Sequence, residues 1–258
     1  MSFSSKDGIP VAVVKGGQSN KEIVYLEDPN EKKSKIVKTK AITQVCVEDG
    51  KFEVLPREGI RVLYITGASG SGKSMFAGCY VKHCMKKWPK AKFYVFSQLS
   101  KDPAFDDLKP HRITLSEDLI ENPINLENDI EPNSIILFDD CSDNEEPLQK
   151  AIDRLETQLL VHGRKHNIQV IITSHLLNPG ANKHIRHRLN ETQALVFFPQ
   201  SGSAAQLTHS LKTQFGFSTR QVQAVLQIES RWVCCTKTYP NILLSEQFIT
   251  FARDIGKK

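Results

Sequence analysis

Apolar positions along the chain fall into two regimes. Over residues 1 to 58 they come in short pieces, Val11–Val14, Ile23–Leu26, Ile42–Val47 and Phe52–Leu55. Turn signals separate them: Gly16-Gly17, Asp28-Pro29-Asn30 and Asp49-Gly50. The last pair lies between VCV and KFEV, which predicts a hairpin. From Arg61 onward the apolar runs are denser. Arg61–Thr66, Lys92–Ser97, Ser134–Asp140 and Ile168–Ile172 each read as a buried strand. Ala194–Phe198 and Arg231–Thr236 read as further strands, and Ile242–Phe251 as an amphipathic close.

Helical spacing fills the intervals. Met75, Phe76, Cys79, Tyr80 and Cys84 share one face until Trp88-Pro89 stops the run. Pro147 opens a second helix, with Leu148, Ala151, Ile152, Leu155 and Leu159 on one face and Gly163 closing it. Ser218-Thr219-Arg220-Gln221 is a capping box that leads a helix through Leu226. Residues 99 to 134 are polar and acidic and predict a surface connection with a short helix around 116 to 121. Strands alternating with helices predict an α/β fold with a mainly parallel sheet flanked by helices. The division expected is a β-rich appendage over 1–58 and a second domain over 59–258. The latter has a core at about 60–200 and a C-terminal extension at about 201–258.

The chemistry concentrates where the first dense strand ends. Gly67-Ala68-Ser69-Gly70-Ser71-Gly72-Lys73-Ser74 has the phosphate-loop spacing, between a strand and a helix. Glycines let backbone amides turn inward around phosphate oxygens, and the helix beginning there aims its positive dipole end at the same anion. Residues 67 to 74, with Met75, are the candidate ATP contacts. Lys73, expected to face solvent in an empty loop, offers a point charge to the β- and γ-phosphates, and Ser74 a hydroxyl to Mg²⁺. Ser134–Asp140 ends in two carboxylates, as a Walker B strand does. Asp139 would hold Mg²⁺ and Asp140 would polarise the attacking water. Ile168–Ile172 delivers Thr173-Ser174-His175 to its carboxyl end, where ligand crevices of open α/β sheets lie, and His175 is the candidate γ-phosphate sensor.

Composition adds bounds. In 258 residues, 40% of them hydrophobic, the chain can build a substantial core. No apolar run has the length of a membrane span, and the first residues are not a signal peptide, so a soluble intracellular protein is expected. The six cysteines lack metal-ligand spacing and read as reduced core thiols. A net charge of +5 permits a nucleic-acid partner. Lys32, Lys33, Lys35, Lys38 and Lys40 form one basic run, and Lys183, His184, Arg186, His187 and Arg188 a second.

The order of parts is that of the RecA-like, additional-strand class of P-loop NTPases. Within it, Gly163-Arg164-Lys165-His166-Asn167-Ile168 followed by Ile171-Ile172-Thr173-Ser174-His175 resembles the FtsK–HerA superfamily. The likeness is to the DNA-packaging ATPases of large eukaryotic DNA viruses, over roughly residues 60 to 200. It implies an ATP-hydrolysing motor on double-stranded DNA, working as a homo-oligomeric ring of five or six copies and meeting capsid proteins. Such a protein would reside in host cytoplasm or a viral factory, or be carried in the virion. It also implies that Arg164 is an arginine finger reaching a neighbour's nucleotide. Many relatives have Glu where this chain has Asp140, and Glu145 or Glu146 could substitute only if the loop folds back. A small-molecule or nucleoside kinase, or a nucleotide-gated structural protein, remains open as an alternative.

Overall fold

The computed structural model describes residues 1–27, 41–142, 144–175, 177 and 183–256. The Asp28-Pro29-Asn30 turn signal and the basic run from Lys32 to Lys40 lie outside these residues. The N-terminal stretch forms β1 (Phe3–Ser4), β2 (Ile9–Lys15), β3 (Ile23–Leu26), β4 (Gln44–Cys46) and β5 (Lys51–Val54). Then come β6 (Val62–Thr66), α1 (Lys73–Lys87), β7 (Phe93–Ser97), β8 (His111–Thr114) and α2 (Asp118–Glu121). They are followed by β9 (Ile135–Asp139), α3 (Glu146–His162), β10 (Gln169–Ser174), α4 (Lys183–Glu191) and β11 (Ala194–Phe197). The chain closes with α5 (Ala204–Phe215), α6 (Thr219–Leu226), β12 (Val233–Thr236), β13 (Ile242–Ser245) and β14 (Phe248–Phe251).

The strands β6, β7 and β9 are buried at every position, as strands covered by helices on both faces must be. They belong to a ten-stranded sheet of order β4-β14-β13-β12-β11-β6-β10-β9-β7-β8. From β8 across to β11 the pairings are parallel, and from β11 out to β4 they are antiparallel. Here β10 lies between the loop-bearing β6 and the acid-tipped β9. That insertion is the additional-strand order expected of a RecA-like P-loop core.

Alternation along the strands sorts the core into two layers. Val62 and Tyr64 face α3 with Phe96, Phe138, Leu155 and Leu159, and the Phe96 and Phe138 rings stack at 4.9 Å. Leu63 and Ile65 face α1 with Ala77, Tyr80, Val81 and Leu137. The second layer continues into a four-stranded sheet of order β1-β3-β2-β5, through Phe3, Val11, Ala12 and Phe52. Phe3 stacks on Phe251 of β14 at 4.6 Å.

Four expectations need correction. Asp49-Gly50 does not close a hairpin: β4 pairs with β14 in the large sheet, while β5 pairs with β2 in the small one. Gly50, at φ 100, lets the chain cross between sheets, because a Cβ there would stand 2.6 Å from the Gly16 carbonyl oxygen. The helix α3 does end at Gly163, its C-cap with right-handed helical angles; a short 3₁₀ turn over Gly163–His166 follows, and Asn167 at φ 54 ends that turn. Residues 242–251 are two antiparallel strands, and the 99–134 connection contains β8. Cys46 is exposed and Cys79 half-buried, so only four of the thiols (Cys84, Cys141, Cys234 and Cys235) belong to the core. The capping box at Ser218 forms with both of its reciprocal bonds. Among the described residues no helix is long and apolar enough to cross a membrane.

An ionic contact fastens the small sheet to α1. Glu53 of β5 accepts a hydrogen bond from His83 Nε2 at 2.9 Å and pairs with Lys15 Nζ at 2.9 Å. The hydrogen bond from His83 draws the Glu53 carboxyl down to about 2, with Lys15 adding to the pull and partial burial opposing it. A depressed carboxyl contributes stability that is present above its ordinary value of 4.5 and lost as pH falls through about 2. Glu53→Gln is therefore expected to lower stability at pH 7 by up to about 3 kcal/mol. The same variant should flatten the loss of stability between about pH 4.5 and 2. Urea unfolding across that range checks this, and parallel curves for the two proteins would refute it.

Candidate functional site

The site is assembled where β6, β9 and β10 end. Thr66 lies opposite Ser174, and Asp139 opposite Thr173, so the three carboxyl ends stand level. Gly67 N donates to the Ser174 carbonyl at 3.3 Å, which ties the start of the loop to the tip of β10. A Cβ on Gly67 would stand 2.7 Å from Ser71 Oγ and 2.8 Å from the Phe198 ring, so no larger residue fits. Gly72 is the N-cap of α1 at φ 109 and provides no side-chain cap, and the first turn carries no acidic residue. The amides at this helix end are therefore directed at the loop's concavity without a protein anion to meet them.

Lys73 contradicts the expectation of a solvent-facing side chain: it is 6% exposed. Its Nζ donates to the Ala68 carbonyl at 3.4 Å and to His175 Nδ1 at 3.3 Å, and stands 3.6 Å from Asp140 Oδ2. His175 Nε2 is 3.2 Å from the same Asp140 oxygen. A ring that accepts from Lys73 at Nδ1 carries its proton at Nε2 and donates it to the carboxylate. Lys73, Asp140 and His175 thus close a triangle from three separate elements. Among the described residues Asp140 Oδ1 is buried without a partner, as is Ser71 Oγ in the loop.

Asp139 is held differently. Thr173 Oγ1 donates to Asp139 Oδ1 at 2.8 Å and accepts from Asp140 N at 3.0 Å, so one hydroxyl orients both acids. Burial pushes the Asp139 carboxyl up, against the Thr173 bond and the Lys73 charge, with Asp140 and Asp102 adding repulsion. Among the described residues no three His, Cys, Asp or Glu side chains could enclose a metal ion unaided. A hard-oxygen pair such as Ser74 and Asp139 nevertheless suits Mg²⁺, which keeps several waters and shares phosphate oxygens with its protein ligands.

The other candidates separate. Met75 is 64% exposed on the first turn of α1. It borders a cavity of about 170 Å³ that also touches Gly72, Phe76, Phe198, Arg231 and Trp232. Glu145 and Glu146 are exposed at the start of α3, and Glu146 is paired with Lys150 at 2.8 Å; neither joins the Asp140 triangle. Arg164, exposed on the 3₁₀ turn, lies at the amino end of β10, the end away from the loop. A six-residue strand puts about 20 Å between the two ends. There it borders a cavity with Arg57, Arg61 and Lys87. Thr173, which orients both acids, and Asp102, whose charge bears on Asp139, are neighbours of the site that the pattern of the chain did not reveal. Thr173 stood inside a singled-out tripeptide, whereas Asp102 lay in an acidic stretch with nothing to distinguish it.

A carboxyl raised by burial stabilises the fold when protonated, and that benefit, complete below the ordinary 3.8, is lost as pH rises through the elevated value. Asp139→Asn keeps an acceptor for Thr173 and removes the buried charge. Without nucleotide at pH 7 it is expected to be more stable than the parent by about 1 kcal/mol. Thermal melts of the two proteins decide this, and a lower melting temperature for the variant would contradict it.

No protein-family model matches the chain. It is 36% identical over 251 residues to "Uncharacterized protein V3" of Sputnik virophage, covering 94% of this chain and 95% of that protein. Among solved structures it is similar to the cytoplasmic domain of the Thermomonospora curvata Type VII secretion ATPase EccC, at TM-score 0.49 and 16% identity. There it covers 72% of this chain and only 25% of that one. It is also similar to the genome packaging NTPase B204 of Sulfolobus turreted icosahedral virus 2, at TM-score 0.48 and 10% identity, covering 72% and 97%. The pCW3 conjugation coupling protein TcpA aligns at TM-score 0.49 and 12% identity, covering 96% and 78%. On sequence, over nearly the whole of both proteins, the chain belongs to the family of the Sputnik virophage V3 protein.

Proposed function

We propose that the chain binds ATP with Mg²⁺ at residues 67–75 and hydrolyses it as a motor that moves double-stranded DNA into a viral capsid. The observation that carries the reading is the triangle of Lys73, Asp140 and His175 at the mouth of the loop, beside a Thr173-held Asp139. Amides of the loop and of the first turn of α1 receive the phosphates, and Lys73 supplies a charge between the β- and γ-positions. Ser74 and Asp139 would hold Mg²⁺, whose role when bound is to neutralise charge on the transferring phosphoryl group. Asp140 accepts from His175 at Oδ2, the oxygen that also faces Lys73. It is one methylene shorter than Glu, yet it already stands within 3.6 Å of Lys73. His175, at the tip of β10 and half-exposed, is placed to register whether a γ-phosphate is present.

Arg164 cannot serve the loop of its own chain from the opposite end of β10. Its use as an arginine finger therefore requires a neighbouring copy, which favours a ring of five or six subunits. The printed role of B204 is genome packaging, and double-stranded DNA and capsid proteins are the partners that this reading proposes. A relative from a virophage fits the proposed location in host cytoplasm, a viral factory or the virion. The cavity beside Met75 and Trp232 is contiguous with the loop and provides room for the base.

Hydrolysis measured with and without double-stranded DNA tests the reading: the parent should turn over ATP faster with DNA. Lys73→Ala should abolish turnover, and Asp140→Asn should bind ATP while losing turnover on the order of a hundredfold. Parent-like rates in Lys73→Ala would sink the assignment.

The role of Arg164 is tested by mixing. Arg164→Ala should bind ATP and hydrolyse it on the order of 10³-fold more slowly. Titrating it with Asp140→Asn subunits should recover part of the rate, because some interfaces then pair an intact Arg164 with an intact Asp140. Absence of recovery in every mixture, or an active monomer, removes the role in trans.

A further inference from the structure

A buried polar network lies directly behind the site and takes no part in the steps above. Arg188 of α4 is 3% exposed, although it stands in a stretch that reads as a basic surface. Its Nε donates to Glu156 of α3, and one terminal nitrogen reaches Asp153 Oδ1 at 3.5 Å. The other terminal nitrogen donates to Ser142 Oγ at 2.7 Å. Ser142 follows Asp140 by two residues, and its hydroxyl lies 3.5 Å from Ser174 Oγ, the neighbour of His175 in the chain. One guanidinium therefore connects α3 and α4 to the two segments that present Asp140 and His175.

Two features make this more than packing. Asp140 has φ 48, a left-handed conformation costing a non-glycine residue about 1 kcal/mol or more, which persists only where its surroundings impose it. Thr173 restrains the Asp140 amide from one side. On the other side Cys141 is anchored to the Phe96 carbonyl and Ser142 to Arg188. Second, buried ion clusters contribute little stability compared with apolar residues of similar size, and here Glu156 Oε2 has no partner among the described residues. A cluster that stabilises poorly but fixes a strained turn is placed to determine geometry.

We propose that Ser142 and Arg188 are positioning residues for hydrolysis: the Arg188 anchor on Ser142 holds Asp140 in its left-handed turn, level with His175. The inference rests on the reading of Asp140 as the water-polarising acid. Removing the anchor leaves the loop, Lys73 and Asp139 in place, so nucleotide should still bind while turnover falls.

The test compares Ser142→Ala, Ser142→Thr, the paired replacement Arg188→Met with Glu156→Gln, and Asp140→Asn. The paired replacement removes the Arg188 and Glu156 charges together, and Asp153 keeps His184 Nε2 at 3.4 Å as its partner. Ser142→Ala should lower kcat on the order of tenfold to a hundredfold, with KM for ATP and melting temperature close to the parent's. Ser142→Thr, which keeps the hydroxyl, should recover most of the rate. Adding Ser142→Ala to the paired replacement should cost nothing further, because the residues act as one unit. Parent-like turnover in Ser142→Ala beside an inactive Asp140→Asn overturns the inference alone, as do additive losses. Parent-like turnover in Asp140→Asn overturns the reading of Asp140 and the inference with it.

Discussion

The parallel register of β6, β10 and β9 is the constraint on which the rest depends. Backbone hydrogen bonds set Thr66 against Ser174 and Thr173 against Asp139, so three chain segments distant in sequence end at one level. A slip of a single residue in β10 would turn Thr173 away from Asp139 and Ser174 away from Ser142, since side chains alternate between faces. Such slips are prevented by the burial of both faces. Tyr64, Phe138 and Ile172 fill one layer, while Leu63, Leu137 and Ile171 fill the other. The apolar core thus sets the position of polar atoms that contribute nothing to it.

Once the strand ends are level, electrostatics shapes the site. Lys73 and Asp139 are buried beside a part-exposed Asp140, and burial raises the Asp139 carboxyl. Collecting these charges costs stability that the apolar layers and the sheet supply. The same economy explains Thr173, whose one hydroxyl orients two carboxylate residues where separate partners would need more room. It also explains the buried Arg188 cluster, which restrains the turn after β9 from the α3 side, away from the glycine loop.

The four-stranded sheet extends the core on the α1 side. Its contact through Glu53 and His83 meets α1 beyond its midpoint, and its apolar face continues the Ile65–Ala77 layer. The chain leaves the small sheet at β3 and contributes β4 to the edge of the large one before returning through Gly50 to β5. Residues 1–58 are thereby threaded through both sheets, and their separateness in composition does not carry over into separate packing.

Features governed by neighbours in sequence were legible in the chain. The glycine loop between β6 and α1 could be read because its glycines act through adjacent backbone between one strand and one helix. The acid pair at 139–140, the capping box at Ser218 and the buried strands are local in the same sense. Only the tertiary structure decided what depends on distant segments meeting. The burial of Lys73 follows from Asp140 and His175 arriving above it. Thr173 gains its role because β10 pairs with β9, and Arg188 is buried because α4 packs on α3, although its sequence neighbours are surface cations. The Asp49-Gly50 turn shows the same limit: its left-handed glycine is a local property, but which strand each arm joins was settled by Val45 meeting Ile249 and Phe52 meeting Val14. Local sequence determines which backbone shapes are affordable, whereas pairing and burial are selected by the free energy of the whole core.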